Sequence, residues 1–212
     1  VTLRSAIELT TAGESHGRCV TAILEGIPAG LVVTEDAVNH DLARRQVGYG
    51  RGGRMKIESD MVDITGGVRH GRALGSPVCM VVENRDWENW EREMGVGQPE
   101  QGWRSERTVT VPRPGHADLA GRARFGHSDM RNVLERASAR ETAARVAGGA
   151  VCRALLEKLG VRIRSRTVDI GGVRDEAFQG TEEQWAAAEQ SDVRCADVET
   201  AERMRSAIDQ AG

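Results

Sequence analysis

A run of apolar residues at helical spacing over residues 131–159 constrains the fold more than any other part of the sequence. Alanine and aliphatic residues recur there at steps of three and four, and Gly160 stands where a helix would stop. The run predicts one long helix at the centre of the core. Gly148 and Gly149 lie inside it, and because each costs about 1 kcal/mol of helix propensity relative to alanine, they indicate close packing against another element.

Shorter patterns predict the remaining elements. Strands are predicted over 18–27, 61–65 and 77–84, where β-branched and apolar residues end at glycine or proline turns. Thr34 predicts the N-cap of a helix that runs through Arg45. The later segments predict a long loop over 95–113, a half-exposed strand over 161–170 and two short helices, one of them opened by the capping box Thr181-x-x-Gln184. No domain boundary is marked.

Composition excludes several classes of protein. A chain of 212 residues with 39% hydrophobic content can bury a sizeable core, and its net charge of -3 argues against general nucleic-acid binding. The cysteines have no C-x-x-C pair and no short spacing to histidine, which predicts reduced thiols and no metal site. No apolar stretch has membrane-spanning length, and no export signal is evident. We therefore expect a cytoplasmic protein that binds neither nucleic acid nor membrane.

The segment TAGESHG, residues 11–17, is the first cluster with chemical potential. Its GESHG core matches the nucleophile elbow G-x-S-x-G, which requires a strand before the serine and a helix after it. The residues that follow are β-branched and reach Pro28 within a short distance, so the hydrolase interpretation is disfavoured. His16, rather than Ser15, is the candidate for chemistry; the alternative is a solvated histidine in a glycine-flanked turn.

Positive charge is concentrated in residues 44–56, which contain no acidic residue. Guanidinium groups bind phosphate and carboxylate oxygens bidentately, and the glycines between them let the backbone fold inward. The run predicts an anion site, with a solvated charged face as the alternative. Its glycines also match G-x-G-x-x-G, but a helix precedes them and a strand follows, so the dinucleotide interpretation is a chance match. The cations are Arg44, Arg45, Arg51, Arg54 and Lys56.

A second histidine, His116, follows the rigid turn RPG at residues 113–115. A histidine titrates near neutral pH and can donate or accept a proton, and Asp118 could hold its tautomer. The alternative is that Asp118 caps the next helix and that His116 is exposed.

Arg136 and Arg140 lie four residues apart on the predicted long helix and therefore share a face. Glu135 and Glu141 stand beside them, so an ordinary salt-bridged surface is the alternative to a binding site.

These segments resemble the signatures of one family, the chorismate synthases, in the family's order and spacing. The matching segments are TAGESHG (11–17), EGIPAGL (25–31), LARRQVGYGRGGRMKIE (42–58), GGVRHG (66–71), RPGHADLAG (113–121) and RNVLERASARETAARVA (131–147).

The resemblance implies roles for individual residues. His16 is similar to the histidine that protonates the departing phosphate, and His116 to the one that protonates the reduced flavin near N1. Arg45 and Arg51 also match positions for a nicotinamide nucleotide in members that reduce their own flavin. The implied flavin-binding segment is Arg136, Ala137 and Ser138, and the implied substrate-binding arginines are Arg45, Arg51, Arg54, Arg113 and Arg140.

The resemblance further implies a lyase of the shikimate pathway that supplies aromatic amino acid biosynthesis. It would convert 5-enolpyruvylshikimate 3-phosphate to chorismate and phosphate by 1,4-elimination, using reduced FMN, with NADPH needed only where flavin reduction is built in. The implied fold is α+β, with helices sandwiched between antiparallel sheets, in a homotetramer. Because family members are longer, we expect residues 1–212 to form a single, incomplete domain that is inactive alone. The resemblance implies that the proton-abstracting carboxylate lies in the second half of the family's sequence, outside these residues.

Two other hypotheses stay open at this point. A different flavin or nucleotide enzyme could use the same arginine-rich site, and it would bind flavin without forming chorismate. A non-catalytic anion-binding module is the other, and the presence of both His16 and His116 argues against it.

Overall fold

The computed structural model describes residues 7–50 and 60–211, which divide into two compact units. One unit contains residues 7–42 and 60–155, and the other contains 43–50 and 156–211. The single-domain organisation stays a prediction. In the described part of the chain, no helix is both long and apolar enough to cross a membrane.

The strands and helices are numbered in chain order. The strands are β1 (Glu8–Ala12), β2 (Cys19–Glu25), β3 (Val62–Gly66), β4 (Val68–Arg69), β5 (Arg72–Ala73), β6 (Val78–Glu83), β7 (Asp169–Ile170) and β8 (Val173–Arg174). The helices are α1 (Glu35–Gln46), α2 (Glu91–Met94), α3 (Asp118–Phe125), α4 (Arg131–Leu134), α5 (Glu141–Lys158), α6 (Glu182–Gln190) and α7 (Val198–Ala211).

The core of the first unit is a helix packed on an antiparallel sheet of order β1-β2-β6-β3. Successive side chains of a strand point to opposite faces, so alternate residues of β2 and β6 form one apolar face. Leu24 of β2 and Val78 of β6 are fully buried on that face, in one cluster with Ala143 and Ala147 of α5. The α+β fold class is thereby confirmed.

Small residues bring α5 close to the sheet. A Cβ atom on Gly148 would lie 2.7 Å from Cδ1 of Leu9, which confirms the close packing predicted for this glycine. Gly149 is exposed and has no atom within 4 Å of an added Cβ, so the packing predicted for it is wrong.

The prediction of one continuous helix over 131–159 is wrong, because residues 135–140, between α4 and α5, are not helical. In a continuous helix the carbonyl of Glu135 would accept from the N–H group four residues later. It accepts instead from the backbone N–H of Ser15, at 2.9 Å. A long-range hydrogen bond therefore replaces a helical one at the break, while Gly160 follows the end of α5 as predicted.

The predicted strand over 161–170 is also wrong for most of its length. Only β7 is a strand, paired with β8, and Val161 and Ile163 are 46% and 62% exposed. No described strand pairs with residues 161–168, so their alternating pattern has no sheet to join.

Local signals account for the elements that were predicted correctly. The three strands predicted near the N-terminus correspond to β2, β3 and β6, and residues 95–113 contain no described helix or strand. Thr34 caps α1 by accepting the N–H of Ala37 at 3.2 Å. Both hydrogen bonds of the Thr181–Gln184 capping box open α6. Strand β1 and the β4–β5 hairpin were not predicted.

The second unit has its own small core, which includes Val193, Cys195, Ala201 and Met204. Part of the predicted cationic run lies here. The guanidinium of Arg44 pairs with the carboxylate of Glu189 and with the hydroxyl of Ser165. Arg44 is thus paired within the second unit.

Two glycine substitutions test the packing. In Gly121→Ala the new Cβ would lie 2.2 Å from Cγ1 of Val133, so we expect overpacking between α3 and α4 to lower the free energy of unfolding by about 1–3 kcal/mol. In Gly149→Ala no neighbouring atom is displaced, so the higher helix propensity of alanine should raise the free energy of unfolding by about 0.5–1 kcal/mol. Urea unfolding measures both, and equal effects of the two substitutions would contradict the described packing.

Candidate active site

His16 and Glu135 form a buried pair. The imidazole Nδ1 lies 2.6 Å from Oε2 of Glu135, and the backbone N–H of His16 donates to the same oxygen at 2.9 Å. His16 is 8% exposed and Glu135 is 0% exposed. The interpretation of His16 as a solvated histidine is therefore wrong. Because a carboxylate oxygen only accepts, Nδ1 is the protonated nitrogen of the pair.

The loop that carries His16 is fastened to the segment between α4 and α5. The Arg136 guanidinium donates to the carbonyl oxygens of Gly13 and Thr11, at 3.2 and 2.9 Å, and to the Thr11 hydroxyl at 2.7 Å. Gly13 has a φ of +93°, and a Cβ there would lie 2.3 Å from the carbonyl oxygen of Cys19. Only glycine allows this approach, so the glycine before the histidine fixes the path of the loop.

An aromatic residue that the sequence analysis missed covers the imidazole. Trp90 stacks on His16 with ring centroids 3.7 Å apart and an angle of 24° between the planes. The indole N–H donates to Asp86 at 2.9 Å, which fixes the ring. The guanidinium groups of Arg107 and Arg131 lie 4.0 and 5.4 Å from the centroid of Trp90. Only 3% of the residues are aromatic. This rarity is the sequence signal that could have drawn attention to Trp90.

Electrostatics keep Glu135 ionised in its buried position. Burial raises the pKa of its carboxyl, but the hydrogen bonds and charges of His16 and Arg131 outweigh burial and leave the pKa below its ordinary value. Arg131 donates from NH1 to Oε1 at 2.7 Å, while His16 uses Oε2. Both carboxylate oxygens are thus satisfied, which is the condition for burying a charge at a tolerable cost.

His116 lies at the exposed tip of the second predicted motif. Its Nδ1 is 2.8 Å from the carbonyl oxygen of Pro114, which can only accept, so the backbone holds the proton on Nδ1. Asp118 does not perform that role, contrary to the prediction. Its oxygens accept from the backbone N–H, Nε and NH2 of Arg113, each at 2.9 Å. Asp118 is also no helix cap, because α3 begins at Asp118 itself.

For Arg140 the alternative of a salt-bridged surface is wrong, whereas Arg136 does lie 3.7 Å from Glu141. Arg140 is 6% exposed, donates from NH1 to Oδ1 of Asn84 at 2.9 Å, and donates from NH2 to the carbonyl oxygen of Glu83. Asp60 lies 3.7 Å from the same guanidinium. The predicted contact of Arg140 with substrate stays a prediction.

A cleft of about 600 Å³ adjoins the fastened loop. Its lining combines small and apolar side chains, among them Gly121 and Val133, with two arginines, Arg136 and Arg145, and two carboxylates, Glu14 and Glu141. Ala137 also lines it, whereas Ser138 and His116 are not among the described lining residues. The volume and the apolar surface suit a ligand of cofactor size, and Glu141 pairs with both arginines.

Three of the candidate substrate-binding arginines come from the cationic run at residues 44–56. Arg45 lies half-buried in α1 and belongs to the second unit, while Arg51 and Arg54 lie outside the described residues. The structure therefore brings together His16, Arg136 and the unpredicted Glu135 and Trp90, and it places Arg113 against Asp118.

The Arg113–Asp118 pair should make stability depend on pH. The hydrogen bonds from Arg113 lower the pKa of Asp118 from 3.8 to about 2. Its contribution is therefore present above about pH 4 and is lost as the pH falls through about 2. We expect Asp118→Asn to lower the free energy of unfolding by about 1–2 kcal/mol at pH 7, since solvent screens the half-exposed Arg113.

Denaturant unfolding of wild type and Asp118→Asn between pH 7 and pH 2 measures this contribution, with exposed Asp63→Asn as the control. The difference between wild type and Asp118→Asn should shrink toward pH 2. A difference that stays constant over this range would mean that the ionised pair does not stabilise the fold.

Comparison with known proteins identifies the family. A family model described as chorismate synthase matches residues 7–212. The chorismate synthase of Geobacillus kaustophilus is 55% identical over 201 residues, which cover 94% of this chain and 52% of that protein. That of Bacillus pumilus is 50% identical over 205 residues, covering 95% and 53%.

A solved structure, described as the crystal structure of chorismate synthase, superposes with a TM-score of 0.75 at 38% identity. The superposition covers 99% of this chain and 54% of that one. The chain thus spans about half the length of the relatives it matches. With the family model matching nearly every residue, the chain belongs to the chorismate synthase family.

Proposed function

We propose that these residues form the histidine- and arginine-bearing half of an enzyme that converts 5-enolpyruvylshikimate 3-phosphate to chorismate and phosphate by 1,4-elimination, a step of the shikimate pathway. The observation that carries the proposal is the buried His16–Glu135 pair, which occurs at the motif that resembles the family's catalytic histidine. Membership of the family supports the reaction class. The enzyme is a cytoplasmic homotetramer in this proposal.

His16 acts on the leaving group. A departing phosphate gains negative charge, and a positioned histidine that donates a proton to it lowers the barrier. The carboxylate at Nδ1 stabilises the protonated ring by direct charge contact at 2.6 Å. Burial strengthens that contact because little water screens it. His16 is therefore positioned, by its contact with Glu135, to donate a proton to the departing phosphate.

The cleft beside Arg136 is where we place reduced FMN. Its volume and its apolar wall fit a flat ring system, and Arg136 and Ala137 of the matching flavin-binding segment line it. When bound, reduced FMN supplies the electron-rich partner that the elimination requires without net redox change. His116, exposed and protonated on Nδ1, would hold a proton near flavin N1, and Ser138 would complete the segment.

Arginines gather the anionic groups of the substrate in this proposal. Guanidinium forks bind phosphate and carboxylate in pairs of hydrogen bonds and stabilise the charge that develops on the leaving group. Arg113 is already pre-oriented by its pair with Asp118. Arg45 and Arg51 would also receive NADPH if the enzyme reduces its own flavin. The substrate-binding set is Arg45, Arg51, Arg54, Arg113 and Arg140.

Substitution of the two histidines tests the proposal. We expect His16→Ala and His116→Ala each to lower turnover by about a hundredfold or more, the scale of a positioned general acid. The assay follows chorismate by absorbance, without oxygen, in the full-length protein with reduced FMN supplied. His16→Asn should be equally impaired, although its amide N–H can replace Nδ1 against Glu135 and preserve the buried contact.

His40→Ala serves as the control, because the His40 side chain is 71% exposed. Circular dichroism establishes that each variant is folded. Near-wild-type turnover in a folded His16→Asn protein would remove His16 from the mechanism, and the absence of chorismate from the wild-type protein would refute the proposed reaction.

A further inference from the structure

A fully buried carboxylate, that of Glu135, contacts the His16 ring. A buried charge lowers stability unless it is paired, and an apolar residue of similar volume often serves the core as well. Glu135 nevertheless receives three donors: the backbone N–H of His16, its Nδ1, and NH1 of Arg131. Two of the three come from the residue proposed as the general acid.

We propose, resting on the function proposed above, that Glu135 is a positioning residue that fixes the proton of His16 on Nδ1 and leaves Nε2 to exchange the proton with the leaving phosphate. A neutral imidazole can carry its proton on either nitrogen. Glu135 removes that choice, since Oε2 accepts from Nδ1 at 2.6 Å. The same carboxylate also holds the ring in one orientation, because the backbone N–H of His16 donates to the oxygen that accepts from Nδ1.

Trp90 limits the second degree of freedom of the ring. An imidazole held only at Nδ1 could still turn about its Cβ–Cγ bond. Stacking at 3.7 Å with nearly parallel planes restricts that turn on one face. The direction of Nε2 is thus set by two contacts from different segments of the chain.

Other charged groups of both signs lie near the ring. Arg131 binds Oε1 of Glu135, Arg107 lies over Trp90, and Asp86 accepts from the indole N–H. Coulomb interactions weaken with distance, so among these charges the carboxylate in direct contact with Nδ1 acts most strongly on the ring.

Two substitutions of Glu135 separate geometry from charge. In Glu135→Gln the amide oxygen can take the place of Oε2, because two donors of His16 compete there against one from Arg131. This variant keeps the tautomer and loses the negative charge. Glu135→Ala loses both. Glu88→Gln, which removes an exposed carboxylate two residues from Trp90, is the matched control.

The readouts are the ¹⁵N NMR shifts of the His16 ring at alkaline pH and the pH profile of kcat, both in the full-length protein. We expect Glu135→Gln to retain the Nδ1-protonated tautomer and to move the alkaline limb of kcat down by about one pH unit or more. Glu135→Ala should lose the preference for Nδ1. Glu88→Gln should match wild type in both readouts.

An alkaline limb that stays in place in Glu135→Gln, or an unchanged tautomer in a folded Glu135→Ala, would overturn the role of Glu135. If Glu135→Ala fails to fold, the pH profile of Glu135→Gln decides alone. The tautomer measurement needs no turnover, so an absence of chorismate formation would count against the proposed reaction and not against the positioning of His16.

Discussion

The buried carboxylate of Glu135 is the group on which the rest of the candidate site depends. It binds His16 through both the ring and the backbone, and its other oxygen is held by Arg131. Its own backbone carbonyl accepts from Ser15, at the point where the chain between α4 and α5 is not helical. One residue therefore interrupts a helix, fastens a loop and buries a histidine. A network of this kind is either fully satisfied or destabilising.

The surrounding fold holds the segments of this network in place. The sheet holds β1 and β2 on either side of the histidine loop, and Gly13 lets that loop pass within contact of β2. Arg136 ties the loop to the same interrupted segment through Thr11 and Gly13. Small residues of α5 then allow the helix to pack directly on the sheet. Function in this account lies in the contacts between these elements, and no single element contains it.

Local signals in the sequence predicted local structure, and they failed where distant residues decide. The cap at Thr34 and the box at Thr181 each join residues three positions apart, so they could be recognised directly. His16 and Glu135 are 119 positions apart, and helical periodicity continues across Glu135 as though no break occurred. Asp118 lies two residues from His116 but binds Arg113, because a guanidinium fork satisfies both carboxylate oxygens at once. The family resemblance marked the segments that meet, whereas their pairing required the structure.

A double-mutant cycle on His16 and Glu135 tests the central claim most directly. The free energy of unfolding would be measured for wild type, His16→Ala, Glu135→Ala and the double variant. Residues in direct contact within one network show coupling energies of about 0.5–3 kcal/mol, and we predict a value of at least about 1 kcal/mol, with the double variant less destabilised than the sum of the two single effects. Additive effects within about 0.5 kcal/mol would contradict it, because the histidine loop would then be held without the carboxylate.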